Sequence, residues 1–170
     1  MKSNSWLWIL GGALALLVLG GGGIAVSNYL ISERGKQYLP TIQAAATRYN
    51  VPWQLLAAQL QQESGYDPNA VSGAGAQGIA QFMPATAQQY GLTDPFDPTA
   101  SIYAQAHLMS DLYNQFGDWG IALAGYNWGG GNVQNAMDTY GSGWLANAPA
   151  ETQNYVAAII GNSAVPSAIA

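Results

Sequence analysis

Residues 53–70 read WQLLAAQLQQESGYDPNA, and the way this stretch divides decides the fold. Pro52 suits the first turn of a helix and Gly65 its stop, so a helix is predicted over 52–64. Trp53, Leu56, Leu60 and Glu63 lie three, four and three residues apart, on one face of that helix. The first three are apolar and belong in a core. Glu63 therefore extends a buried stripe at the carboxyl end of the helix. Burial disfavours a carboxylate there, and so does the negative end of the helix dipole. A carboxylic acid held protonated near neutral pH is what protonation of a glycosidic oxygen requires. A Glu in a last turn that points sideways to solvent has the same spacing, so the stripe alone leaves both readings open.

Gly and Pro divide the flanking sequence into further helical segments, at 41–50, 84–90, 99–116, 119–127, 132–140 and 150–160. Gly91, Gly117 and Gly161 stand at expected stops, and Asp118 at an expected cap. Residues 66–80, rich in Gly, Ser, Asn and Asp, read as a long loop, with Gly75 and Gly78 permitting tight turns. No stretch alternates with period two, so the expected class is all-α, or mostly helical. Three glutamates occur, and Glu63 is the one placed for acid work. Glu33 falls in a linker. Glu151 starts a helix, where the dipole stabilises the ionised form.

Composition excludes several classes. Lys and Arg number four and none lies beyond Arg48, so no basic face exists for nucleic acid. Cysteine is absent, which removes disulfides and thiolate metal sites. His107, the single histidine, falls within a helical run and reads as a packed or solvated helix residue, so no metal site is expected. Six Trp and ten Tyr can stack on sugar rings, although each taken singly is better read as core.

The first part of the chain is of a different kind. Residues 3–32 carry no charged side chain, and 6–30 are long enough to cross a bilayer, which takes roughly 20 residues. Trp6 and Trp8 suit an interfacial belt. One N-terminal transmembrane helix, retained as an anchor, is the favoured reading because the run is long for a signal. A cleaved signal peptide with Ala25-Val26-Ser27 at its end is the other. The expected organisation is thus a tail over 1–5, an anchor or signal over 6–30, a linker over 31–40, a folded domain over 41–161 and a tail over 162–170.

The residues that follow Glu63 carry a resemblance. Glu63-Ser64-Gly65-Tyr66-Asp67-Pro68-Asn69-Ala70, with Gly75-Ala76-Gln77-Gly78-Ile79-Ala80-Gln81-Phe82-Met83-Pro84 after it, resembles the catalytic motifs of the soluble lytic transglycosylase family, within the lysozyme-like superfamily. Ala124-Gly125-Tyr126-Asn127-Trp128-Gly129 resembles its Ala-Tyr-Asn-Ala-Gly segment, and Glu151-Thr152-Gln153-Asn154-Tyr155-Val156 its Glu-Thr-x-x-Tyr-Val segment. The chain departs from the pattern at Gly125 and Trp128, where Ala is usual, and at Ile79-Ala80, where Leu-Met is commonest. Those are small or apolar exchanges, of which Trp128 is the one placed to alter a sugar subsite.

The resemblance implies a lysozyme-like domain in which Glu63 is the single catalytic acid. Ser64 is implied as its hydrogen-bonding neighbour and Gln81 as the cleft amide that binds sugar. Tyr126 and Asn127 are implied to orient substrate, and Tyr155 to lie beside the acid. It also implies the reaction: cleavage of the bond between N-acetylmuramic acid and N-acetylglucosamine in peptidoglycan strands, closing a 1,6-anhydro ring without metal or cofactor. The domain would then lie outside the cytoplasmic membrane, or in a virion membrane if the source is a phage. Wall remodelling, a secretion or conjugation machine and a phage membrane complex are all settings such an enzyme serves. Two other readings remain. One is a hydrolase of the same fold, in which an Asp activates water. Asp67, the nearest acid by sequence, precedes Pro68 and reads better as a turn residue. The other is a non-catalytic glycan-binding assembly module.

Overall fold

The computed structural model describes residues 31–168, and the apolar segment 6–30 lies outside them. Among the described residues no helix is long and apolar enough to cross a membrane. The domain is mostly helical, as the punctuation of the sequence predicts. Its helices are α1 (Leu39–Tyr49), α2 (Trp53–Ser64), α3 (Pro84–Gln89), α4 (Pro98–Phe116), α5 (Trp119–Ala124), α6 (Gly130–Tyr140) and α7 (Ala150–Ser163). A π-helical turn, Gly125–Gly129, joins α5 to α6.

Helix boundaries follow local chemistry. Asp97 accepts from the Thr99 and Ala100 backbone N–H groups at the start of α4, and Asp118 from those of Gly120 and Ile121 at the start of α5. Each such cap stabilises its helix by roughly 1 kcal/mol. Gly65 ends α2 in the left-handed region at φ 61°, with backbone bonds reaching back to Gln61 and Leu60.

Helix α2 forms the centre of the core. Leu55, Leu56, Ala57, Ala58, Gln59 and Leu60 are buried in succession, so the helix is enclosed on every side over this stretch. It packs on α1 and on α7, which turns Tyr155, Val156, Ile159 and Ile160 inward. Helix α4 packs on α1 and on α5, burying Ile102, Ala106 and Met109. The stripe of the sequence analysis is realised at Leu56 and Leu60, while Trp53 stays half-buried.

Four features differ from the sequence expectation. Residues 31–38 are not a free linker: Ile31 is buried, and the Tyr38 ring stacks on the Tyr66 ring with centroids 6.4 Å apart. Gly35 lies so close to Tyr66 that an added Cβ would fall 2.6 Å from its ring. These are contacts with a residue about thirty positions away, and local pattern does not reveal them. Helix α7 runs on to Ser163, because packing of its buried face outweighs the ~1 kcal/mol cost of Gly161 in a helix. The segment after it also docks: Ser167 Oγ and the Ala168 N–H donate to Asp118. Burial opposes ionisation of Asp118, but these bonds and the two cap bonds outweigh it and hold its carboxyl below the usual range. Third, the loop over 66–80 is internally knit, since Gln77 bridges both Val71 and Phe82 in antiparallel fashion. Finally, α6 begins at Gly130 and not at the expected 132, directly after Gly129 at φ 96°.

Candidate active site

Three elements converge on the last turn of α2. The Tyr155 hydroxyl, from α7, donates to Glu63 Oε1 at 2.5 Å. Gln59, one turn before Glu63 on α2, donates from Nε2 to Tyr155 Oη at 3.0 Å. Tyr126, from the π-helical turn, lies close enough for the Glu63 charge to act on its hydroxyl. Burial pushes the Glu63 carboxyl from 4.5 up to about 8; the Tyr155 hydrogen bond opposes this and the Glu151 charge adds to it. Glu63 is largely enclosed by protein yet keeps part of its surface open to solvent. Tyr155 and Tyr126 keep their protons far above the ordinary tyrosine range, first through burial and then through the neighbouring Glu63 charge.

The wall beside Glu63 is the 66–83 loop, and several residues singled out from the sequence hold it in place. Ser64 Oγ donates to the Ile79 carbonyl at 2.7 Å and accepts from the Asp67 N–H at 3.1 Å. Its proton is thereby committed, and Ser64 acts as a tie between α2 and the loop. Tyr126 Oη donates to the Ala80 carbonyl at 2.7 Å, and its ring meets Phe82 edge-on. Gln81 donates from Nε2 to the Gly78 and Ala70 carbonyls at 2.8 and 3.1 Å. Two carbonyl partners fix the amide orientation, so the Gln81 carbonyl oxygen is the end left to accept from a ligand. Gln81 sits at φ 50° and Tyr66 at φ 63°, left-handed backbone that costs a non-glycine residue about 1–3 kcal/mol. At Gly78 the need for glycine is absolute: φ is 74° and an added Cβ would lie 1.7 Å from the Pro95 carbonyl oxygen.

Asn127 follows Tyr126 in the π-helical turn. Its Oδ1 accepts from Thr152 Oγ1, on α7, at 2.8 Å, which leaves the amide nitrogen to donate. A π turn widens the helix by one residue per turn and so re-aims consecutive side chains, here Tyr126, Asn127 and Trp128. The structure therefore brings Tyr155 directly onto Glu63 and Tyr126 within range of its charge, while Ser64 and Gln81 tie the adjoining loop and Asn127 is tied to Thr152 on α7. Sequence reading missed Gln59 and Thr152, the buried partners of Tyr155 and Asn127. Gln59 did leave a signal, as an amide inside the apolar run LLAAQL.

A second carboxylate does not join the group. Asp67 accepts from the Asn69 N–H in a turn and lies 4.0 Å from Arg34. Glu151 is exposed at the first turn of α7. Among the described residues no cluster of His, Asp or Glu could hold a metal ion. His107 is partly exposed, stacked on Tyr49 and 3.8 Å from Asp111. A cavity of about 700 Å³ lies elsewhere, lined by Asn50, Trp53, Tyr113 and Trp119. Ten residues of helix, ~15 Å at 1.5 Å each, separate Trp53 from Glu63, so this cavity is distinct from the surroundings of Glu63.

The chain is 42% identical over 99 residues to the "Transglycosylase" of Enterobacteria phage PRD1, covering 58% of this chain and 37% of that protein. It is 38% identical over 114 residues to membrane-bound lytic murein transglycosylase F of Maricaulis maris, covering 62% and 25% respectively. This chain thus spans well under half the length of either relative. The lytic transglycosylase Slt of Pseudomonas aeruginosa, solved as an inactive mutant, superposes with a TM-score of 0.64 at 26% identity, over 73% of this chain and 23% of that one. The 70 kDa soluble lytic transglycosylase of Escherichia coli shares the fold, with a TM-score of 0.67 at 24% identity over 75% of this chain and 23% of that one. Residues 40–145 match the family model described as the Transglycosylase SLT domain, and the chain belongs to that family.

Proposed function

We propose that this protein is a peptidoglycan lytic transglycosylase that cleaves the bond between N-acetylmuramic acid and N-acetylglucosamine and leaves a 1,6-anhydromuramic end. The observation that carries the reading is Glu63, a lone acid with its carboxyl raised to about 8 and a tyrosine hydroxyl on one oxygen. One unit below its pKa, at pH 7, a group is protonated about ten to one. Glu63 is therefore ready to protonate the glycosidic oxygen. As it becomes a carboxylate, the Tyr155 bond becomes charge-assisted and strengthens, which favours the transition state over the ground state. The muramic N-acetyl group is suited to support the positive charge that develops at C1. Glu63, now a base, takes the proton of the sugar's 6-hydroxyl, whose oxygen attacks C1. An intramolecular nucleophile has a proximity advantage over water and needs no second carboxylate to activate it. Gln81 Oε1 and the Asn127 amide nitrogen are the groups placed to hold the sugars, and Ser64 holds the loop that carries Gln81.

Anchoring by residues 6–30 belongs to the same proposal, with the catalytic domain outside the cytoplasmic membrane. The uncharged run over 3–32 supports it, as does a relative named for membrane attachment. A phage relative supports a phage source as a second setting for the same chemistry. Digestion of purified peptidoglycan by the full chain in heavy-oxygen water tests the reaction. Mass spectrometry should find unlabelled anhydromuropeptides; heavy oxygen at the new muramic end would establish hydrolysis instead.

A further inference from the structure

We infer that Gln59 is a positioning residue for proton transfer: by donating to Tyr155 Oη it turns the tyrosine's own proton onto Glu63 Oε1 and reserves Oε2 for the acid proton. The inference rests on Glu63 being the acid.

Both Gln59 and Tyr155 are buried, and the two bonds run in series from Gln59 Nε2 to Tyr155 Oη to Glu63 Oε1. A phenol has one proton to donate. With Gln59 occupying an acceptor position of Oη, that proton is left to face Glu63. Oε1 is then an acceptor, and a protonated Glu63 must carry its hydrogen on Oε2. Take Gln59 away and a second arrangement opens. Glu63 can place its hydrogen on Oε1 and donate it to Tyr155, where it faces away from the glycosidic oxygen. The same two heavy atoms would be bonded, but the acid would be misdirected.

Two further facts favour a functional role over filling. Gln59 Oε1 is buried with no hydrogen-bond partner among the described residues, so the amide is held in the core at a net cost. Gln59 also interrupts a run of Leu and Ala where an apolar side chain of the same length would fill the space without an orphaned atom. The titratable groups facing Glu63 are Tyr155 and, at longer range, Glu151 from α7, and Tyr126 from the π-helical turn. The Gln59 bond lowers the proton affinity of Tyr155 and so makes it a better donor to the carboxylate. Its loss should leave Glu63 holding its proton more tightly.

The test uses the full chain with Gln59→Met, Gln59→Leu, Tyr155→Phe and the Gln59→Met/Tyr155→Phe double variant, acting on purified peptidoglycan. Either change at Gln59 should lower kcat roughly 3- to 10-fold, the rate equivalent of one neutral hydrogen bond, with KM unchanged. The melting temperature should hold or rise, because the orphaned oxygen is gone. The alkaline limb of the pH profile should move to higher pH. In the Tyr155→Phe background Gln59→Met should have no further effect on kcat, since Gln59 acts through that hydroxyl. Full kcat in both Gln59 variants overturns the inference. So does a loss that comes with a lower melting temperature and an unmoved pH profile, or losses that multiply in the double variant. An inactive Glu63→Gln beside a fully active Gln59→Met would sink this inference alone and leave the acid assignment standing.

Discussion

Replacing Glu63 with Gln separates catalysis from stability, because the two should move in opposite directions. The shapes match, but Gln neither donates nor accepts the catalytic proton. General acid–base help is worth about 10²–10⁴ in rate, and here one residue performs both transfers, so the loss should reach the top of that range. Stability follows from the raised carboxyl. The unfolded chain ionises near 4.5 and the folded one near 8, so folding above pH 4.5 must hold a proton that the unfolded chain releases. The penalty is absent below pH 4.5, grows through the window from 4.5 to 8 and is constant above it. At pH 7 the 2.5 units above 4.5 set a ceiling of about 3 kcal/mol at 1.36 kcal/mol per unit. At that pH the folded protein holds Glu63 protonated, so the Tyr155 bond runs to a neutral acceptor in both proteins and leaves the sign of the gain unchanged.

Glu63→Gln should therefore be more stable by ~1–3 kcal/mol at pH 7, a rise of several degrees in melting temperature for a domain of this size. Near pH 4 the two proteins should melt together. Wall-clearing rate and thermal unfolding at pH 4, 5.5, 7 and 8.5 give both readouts. More than about a tenth of the wild-type rate in the variant, well above what loss of proton transfer permits, would show that Glu63 is not the acid. A stability gain that does not grow with pH would show that its carboxyl is not raised.

Two other changes probe the surroundings of the acid. Glu151→Gln removes a charge from the first turn of α7 and should cost about 0.3–1 kcal/mol with little loss of activity, measured by thermal melting and wall clearing at low ionic strength. Gly78→Ala puts a Cβ onto the Pro95 carbonyl oxygen at a left-handed φ. It should destabilise by at least about 3 kcal/mol and abolish cleavage by displacing the loop that carries Gln81, whereas a wild-type melting temperature in this variant would contradict the described loop path.

Much of the fold is legible in the sequence because its helices begin and end on residues whose local chemistry is strong. Asp97 and Asp118 cap, Pro52 and Pro98 start, and Gly65 and Gly117 stop, each through contacts made within five residues. The position of Glu63 at the end of an apolar stripe is local in the same sense. What the sequence conceals is non-local. Gly35 packs against the Tyr66 ring, and Ile31 beside it is buried in the same core. Gly161 fails to stop α7 because Ser163 is buried two residues further on. The π turn at Gly125 is equally hidden, since periodicity near 3.6 does not distinguish it from ordinary helix over so few residues. Thr152 and Gln59 gain meaning only from partners twenty-five and ninety-six positions away.

The destabilising features share a location. A protonated carboxyl, an orphaned amide oxygen at Gln59 and left-handed backbone at Tyr66 and Gln81 all lie at the carboxyl end of α2 and the loop beyond it. Each is destabilising, and together they cost several kcal/mol, a sizeable part of the 5–15 kcal/mol that holds a typical domain folded. Such a cluster persists only where the surroundings over-determine it. The surroundings here are specific: Ser64 and Tyr126 pin the loop carbonyls at Ile79 and Ala80, and Tyr66 Oη donates to the Ala57 carbonyl inside α2. Tyr38, Gly35 and Ile31 then close over the Tyr66 ring and its neighbourhood. The segment that enters the domain from the apolar leader therefore does more than connect. It packs on a tyrosine three residues from Glu63, the proposed acid, so the end of the domain to which the chemistry is assigned is also the end at which the described chain begins. If residues 6–30 anchor the protein as proposed, the acid works close to the membrane, and a domain cut at residue 38 would lose part of the packing that holds the strained end of α2 in place.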